Sequence, residues 1–329
     1  MKKILIIRFS SIGDIVLTSP VARAIKEQSD FEIHALTKKR YHYLYKNNPR
    51  ISKTIGFSKS VTEVLDELKK EKYDFIVDLQ KNVRSVKLVK SLKVPHSSFP
   101  KLNIEKWLLV NLHINKLPEK HIVERYFEAV KPLNIENDNK GLEYYLPHNF
   151  NTKPTSINKG LSKGYIAFII GGQHSTKIMP AVKVASIASQ LSLPVILIGG
   201  PEDKKRGEEV VKSATSNLII NCCGQYSINA SASLVKQAKL VITNDTGLMH
   251  VGAAFKRPII SLWGNTIPEF GMYPYFPQQR AQYVISEVSG LKCRPCSKIG
   301  FDKCPKGHFK CMLDQDERFI IKSSLMLLQ

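Results

Sequence analysis

Acidic residues are scarce in this chain: 28 Asp and Glu stand against 49 Lys and Arg over 329 residues, a formal net charge of +21. That deficit implies contact with something polyanionic, and nucleic acid, an anionic membrane face and a phosphorylated lipid all fit, as does a merely basic proteome. Long apolar runs are also lacking. Tyr165 to Ile170 is only strand-sized, so no membrane-spanning helix is expected. The opening Met1-Lys2-Lys3 and its apolar run imitate a signal peptide, but Arg8 interrupts before an apolar region of signal length can form, and a cytoplasmic protein is expected. No G-x-G-x-x-G follows a strand-like run, which leaves a dinucleotide site with weak support. Internal repeats and low-complexity segments are missing too.

What is present is alternation. Strand-like runs at 4–7, 32–36 and 75–79 alternate with helical patterns such as 61–70. A polar stretch from His148 to Gly164 reads as a linker and divides the chain into domains 1–150 and 151–329. Beyond it, strands are expected at 165–170, 194–198, 217–222, 240–243 and 259–263, and helices at 181–191, 203–214, 227–238 and 248–255. Strands roughly 25 residues apart with helices between them predict α/β architecture with parallel, doubly wound sheets. Ligands on such sheets lie beyond the carboxyl ends of the strands.

Two strand-to-helix turns carry the chemistry. Arg8-Phe9-Ser10-Ser11-Ile12-Gly13-Asp14 follows the first strand, and Thr243-Asn244-Asp245-Thr246-Gly247-Leu248-Met249-His250 follows a later one. Each places an Asp at a helix start, where it also suits simple capping. Free amides and the Thr246 hydroxyl at the second turn suit a diphosphate, although His250 equally fits an internal histidine. Gly171-Gly172-Gln173-His174-Ser175-Thr176-Lys177 resembles a phosphate cradle without P-loop spacing, its glycines permitting close backbone approach and Lys177 adding a cation. After Gly199-Gly200, Asp203 suits ribose hydroxyls or an exposed first-turn acid. Cys293, Cys296, Cys304 and Cys311, with His308 as an alternate ligand, have the look of a structural zinc site, and a metal-free loop of reduced cysteines fits as well. Cys222 and Cys223 read as core, and Asp314-Gln315-Asp316 as a helix cap.

Taken together, these residues resemble glycosyltransferase family 9, the ADP-heptose:lipopolysaccharide heptosyltransferases. The likeness rests on Arg8-x-Ser10-Ser11-x-Gly13-Asp14 with Pro20, Asp78-Leu79-Gln80 with Arg84-Ser85, and Lys177-x-Met179-Pro180. Asn244-Asp245-Thr246-Gly247-x-Met249-His250 and Gly264-x-Thr266-x-Pro268 follow in the family's order, so the resemblance spans residues 1 to about 312. It implies a GT-B fold, two Rossmann-like domains facing a cleft, with acceptor in the amino half and nucleotide sugar in the carboxyl half. It implies an inverting, metal-independent transfer of heptose from ADP-heptose to the inner core of lipopolysaccharide, needing no cofactor. The family's catalytic aspartate falls on Asp14, its phosphate lysine on Lys177 and its nucleotide-sugar aspartate on Asp245. Expected nucleotide-sugar contacts are Gly171, Ser175, Thr176, Lys177, Asp203, Asp245, Thr246, Gly247 and His250. Ser11, Gly13, Lys38, Arg40, Gln80 and Arg84 are the expected acceptor contacts, with Lys39 and Lys81 on the same basic surface. The Cys-rich insert 293–311 resembles one found in many members. The chain departs from the family at Gly171-Gly172-Gln173, where members usually carry His-Ala-Thr or similar, and at Met179 in place of Trp. An anionic lipid acceptor suits the surplus charge and implies a place at the inner face of the inner membrane. The alternatives are a GT-B nucleotide-sugar epimerase or hydrolase, and a basic nucleic-acid-binding protein with a zinc module. Against the latter, Asp14 and Asp245 at the turns would repel a phosphate backbone.

Overall fold

The computed structural model describes residues 2–148, 150–215, 218–278 and 282–329. The chain forms two compact units, Met1–Leu102 with Lys120–Tyr145, and Asn103–Glu119 with Leu146–Gln329. Segment 103–119 thus groups with the second unit, although the sequence assigns it to domain 1–150. The reason is apolar contact: Leu109, with Val110 and Leu117 against it, clusters with Ile267 and Phe270. The segment expected to be a linker holds short helical turns at Pro154–Ile157 and Lys159–Lys163.

In the first unit, β1 (Lys3–Ile7), β2 (Glu32–Lys38), β3 (Lys53–Phe57), β4 (Phe75–Asp78) and β5 (His96–Ser98) form one sheet in the order β3-β2-β1-β4-β5. Every pairing is parallel. Central β1 is Ile4-Leu5-Ile6-Ile7, fully buried, as expected of a parallel strand covered by helices on both faces. Helix 19–28 packs against neighbouring β2 and carries buried Arg23. Arg23 donates to Asp138 at 2.6 and 2.7 Å and to the Gly141 carbonyl at 2.8 Å, so the chain end of this unit is tied back to its start.

In the second unit, β6 (Ile166–Ile169), β7 (Val195–Ile198), β8 (Ile219–Asn221), β9 (Leu240–Asn244), β10 (Ile259–Trp263) and β11 (Tyr283–Glu287) are also all parallel. Their order is β11-β10-β9-β6-β7-β8. Read from the other edge, this is the strand order of a dinucleotide-binding fold. The strand expected at 217–222 appears as β8, with Asn217 outside the described residues. Helix 317–328 packs back through Glu317, 2.6 Å from Lys183, and Asp316 caps it by accepting from the Phe319 amide, as the sequence suggests. Cys222 and Cys223 are buried, and burial pushes their thiols up to about 11 and about 12. Among the described residues, no helix is long and apolar enough to cross a membrane.

Candidate active site

A parallel sheet has one place where neighbouring strands send their chains to opposite faces, and the loops there part to leave room for a ligand. In the first unit that place lies between β1 and β4; in the second it lies between β6 and β9. Asp14 and Gln80 follow the first pair, and Lys177 and Asp245 follow the second. All four residues therefore stand at switch points of their own sheets.

In the first unit, Arg8 holds the turn together. Its guanidinium reaches Asp14 Oδ1 at 2.5 Å, the Leu79 carbonyl after β4, and the Ser10 carbonyl at 2.9 Å. Asp14 Oδ2 accepts from both the Ser11 amide and the Ser11 hydroxyl at 2.9 Å. The carboxylate is therefore both a cap on helix 12–16 and a group fixed in space by a buried cation. Burial opposes the Arg8 charge, but Asp14, Tyr126, Tyr45 and Asp78 outweigh it and hold the guanidinium above its ordinary value. Arg8 also lies over the Tyr126 ring, 5.9 Å from its centre. The motif pattern singles out Arg8, but only the structure shows this positioning role.

The expected acceptor contacts separate into two groups. Lys38 at the end of β2 has its ammonium pushed below the usual lysine value by burial first, then by Arg40 and Arg84. Arg84, from a separate stretch of chain, thus acts on the same ammonium as Arg40, and positive charge so placed suits an anionic ligand. Gln80 is different. Its side-chain oxygen accepts from the Phe9 amide at 2.9 Å, so it joins the ends of β1 and β4. Lys81 likewise turns inward, donating to the Phe99 carbonyl at 2.9 Å instead of joining a basic surface. Gly13 is buried in the helix start, and Ser11 is spent on Asp14. Asp78 closes the turn beneath them, accepting from the Gln80 and Lys81 amides and from the Ser85 hydroxyl.

In the second unit, Lys177 Nζ lies 2.5 Å from Asp245 Oδ2, and the same oxygen accepts from the Thr266 hydroxyl at 3.0 Å. Asn244 is buried beneath this pair, donating to the Ile170 carbonyl at 3.2 Å and accepting from the Met179 amide at 3.3 Å, which locks β9 to the loop after β6. Helix 247–254 begins here. The Thr246 hydroxyl caps it by accepting from the Leu248 amide at 3.2 Å, and His250 is buried within it. The result is a lysine, a carboxylate, a hydroxyl and a helix amino end around one switch point.

Three expected ligands prove to be internal. Asp203 is buried rather than exposed, accepts from the Gly200 amide at 2.9 Å and pairs with Arg206. Burial raises its pKa, the Gly200 amide and Arg206 working against that shift. It fills the space that Gly171 leaves, since a Cβ there would come within 2.3 Å of its carboxylate. Gly171 is thus a packing position for this acid. Thr176 is buried as well. It exchanges two side-chain bonds with the Phe301 backbone, accepting from the amide at 2.8 Å and donating to the carbonyl at 3.0 Å. Ser175 stays exposed.

Those bonds make the Cys-rich insert a buttress for the Lys177 loop. Gly300 sits at φ +124°, and a Cβ on it would lie 2.5 Å from His174 Cβ. The Cys296 amide donates to the Asn265 carbonyl at 3.1 Å, and Arg294 donates to the Thr266 carbonyl at 2.9 Å. Gln315 fixes the far end, donating to the Trp263 and Cys311 carbonyls at 3.0 Å. Burial, then the neighbouring Cys293, Cys311 and Cys304 thiols, pushes the Cys296 thiol up to about 12. The donor set therefore has zinc's chemistry, but its placement does not. Cys296 Sγ donates to the Cys293 carbonyl at 2.8 Å, and Cys293 Sγ lies 3.7 Å from His308 Nε2. Among the described residues, no three His, Cys, Asp or Glu side chains are grouped to hold a metal ion.

The model of glycosyltransferase family 9 (heptosyltransferase) matches residues 61–300. The chain belongs to this family. A Campylobacter coli protein described as lipopolysaccharide heptosyltransferase 1 is 26% identical over 292 residues, covering 80% of this chain and 84% of its own length. A family 9 glycosyl transferase from Veillonella parvula superposes with a TM-score of 0.77 at 22% identity, over 99% of this chain and 97% of its own. The Escherichia coli heptosyltransferase WaaC with ADP-2-deoxy-2-fluoro heptose superposes at 0.64 and 18% identity, covering 90% and 96%. The fold is GT-B and the chain is a glycosyltransferase, which sets aside the nucleic-acid-binding and epimerase alternatives.

Proposed function

We propose that this family 9 glycosyltransferase moves heptose from ADP-heptose to the inner core of an anionic lipopolysaccharide precursor at the inner face of the inner membrane. The observation that carries the proposal is the chemistry at the switch point of each sheet, taken unit by unit: a fixed carboxylate in one, and a lysine beside a helix amino end in the other. The heptosyltransferase relatives support the sugar and the acceptor.

Asp14 takes the proton of the acceptor hydroxyl while that oxygen attacks the anomeric carbon. The bond from that carbon to the diphosphate oxygen breaks from the opposite face, inverting the centre, and ADP leaves with the bonding electrons. Negative charge grows on the leaving diphosphate, where Lys177 and the amides near Thr246 meet it. Such a base is typically worth about 10²- to 10⁴-fold, and a positioned donor about 10²- to 10³-fold. Lys38, Arg40 and Arg84 hold phosphate or carboxylate groups of the acceptor. The test is mass analysis of the products formed from ADP-heptose and heptose-deficient lipopolysaccharide. A heptose mass added to the lipid supports the reading; ADP released at the same rate without acceptor sinks it.

Thr176→Val keeps the shape of the side chain and removes both bonds to Phe301. With each worth about 1 kcal/mol net, KM for the nucleotide sugar is expected to rise roughly tenfold, with a smaller change in kcat. Thr176→Ser should restore it, and an unchanged KM would show that the buttress does not set the Lys177 loop.

Zinc on the four thiols is a separate proposal, supported by the residue types and the Cys293-x2-Cys296 spacing and requiring the thiols to close from the placement described above. Elemental analysis of chelator-free protein is expected to give about one zinc per chain, with Cys296→Ser lowering thermal stability more than turnover. No metal and four reactive thiols would leave the hydrogen bonds as the loop's sole support.

A further inference from the structure

Helix 103–112 is apolar on two opposite sides. One side is packed: Leu109 and Val110 meet Ile267 and Phe270, and Lys106 lies over the Phe270 ring, 5.9 Å from its centre. At 100° per residue, Ile104, Trp107, Leu108, Asn111 and Leu112 share the other side. There Ile104 is 73% exposed, Trp107 56% and Leu112 53%, and Ile114 beyond the helix is 46% exposed. Single exposed apolar residues need no explanation, but three on one helix face with a fourth just beyond it do.

We propose that this outer face is the element that docks the enzyme on an anionic phospholipid surface, with Trp107 in the headgroup zone and Ile104, Leu112 and Ile114 reaching the acyl boundary. The inference rests on the reading of the acceptor as lipid-borne. Three observations select this occupant. Indole is amphipathic and favours the membrane interface, where one edge is apolar and the other wet. Lys116 is exposed just beyond the helix, in a chain of net charge +21, which complements anionic lipid. Finally, one helix of ten residues is about 15 Å long and offers far less than the roughly 800 Å² per partner of a stable protein interface. Membrane adsorption needs no such area, because a few apolar side chains and several cations act together.

The chain offers its own probe. It has two tryptophans, Trp107 and Trp263, and Trp263 is only 1% exposed within β10. Adding vesicles of phosphatidylglycerol and phosphatidylethanolamine to the full chain, without nucleotide sugar or acceptor, is expected to shift tryptophan emission to the blue. Brominated acyl chains should quench it. Trp107→Ser should weaken vesicle binding about tenfold, the loss expected for one partly buried aromatic, and Trp107→Phe should retain most of it. Transfer to a deacylated, water-soluble acceptor should be unchanged in Trp107→Ser. No shift with anionic vesicles, or an equal shift with phosphatidylcholine vesicles, would overturn the proposal. So would sedimentation showing a dimer that Trp107→Ser dissociates, since the face would then belong to a second copy. Because the vesicle assay contains no substrate, failure of transfer and failure of docking are read separately.

Discussion

Asp14→Asn is expected to lower turnover by at least about 10²-fold while ADP affinity stays near that of the parent. The amide is nearly isosteric, and its oxygen can still accept from the Ser11 amide and hydroxyl that hold Asp14 Oδ2 at 2.9 Å. What disappears is the negative charge that takes a proton and that pairs with Arg8 at 2.5 Å. Arg8 keeps its bonds to the Leu79 and Ser10 carbonyls, so the turn should stay in place. Single-turnover rates at saturating ADP-heptose isolate the chemical step from binding. A variant within about tenfold of the parent would remove Asp14 from the role of base, because that is less than a positioned base normally contributes.

The second large effect is expected from Lys177→Ala, with kcat/KM falling by roughly 10²-fold or more and ADP binding weakening alongside. Two causes add. The cation that meets the diphosphate is gone, and Asp245, which Lys177 approaches to 2.5 Å, keeps an uncompensated negative charge where the diphosphate must lie. The second cause can be isolated. Asp245→Asn in the Lys177→Ala background should recover part of the lost ADP affinity, a coupling that a double-mutant cycle by calorimetry measures directly. Unchanged ADP affinity in Lys177→Ala would refute the assignment. Transfer by the parent protein that required added magnesium would refute the metal-free account of the leaving group.

Much of the fold follows from local sequence because the central strands are buried on both faces. β1, β6, β7, β9 and β10 are buried over nearly their whole length, β1 and β7 as runs of Ile, Leu and Val, a pattern typical of a parallel sheet covered by helices on both faces. Of the edge strands, β8 is anticipated by the run at 217–222, whereas β3, β5 and β11 escape such reading. β5 is His96-Ser97-Ser98 and β11 is only partly buried, since an edge is covered less and needs fewer apolar residues. Helix 103–112 escapes too, because apolar residues on both sides leave no single stripe to count.

The candidate site divides along the same line. That an Asp stands at each strand-to-helix turn is a matter of adjacent residues, and the sequence by itself determines it for Asp14 and Asp245. Which neighbouring polar groups face a ligand and which are consumed internally is settled by partners far away in the chain. Thr176 is taken up by Phe301, 125 positions on, and Gln80 by Phe9, 71 positions back. Asp203 shows the same logic at short range. Its carboxylate is read from sequence as a ribose ligand or an exposed acid, but the space left by Gly171 after a different strand draws it inward. A buried polar group must find a partner at a cost of about 1–3 kcal/mol if it does not, and where that partner lies is decided only when both sheets have formed. The sequence therefore determines the strands, the turns and the family motifs, and the tertiary structure alone decides which of the motif side chains remain to meet a substrate.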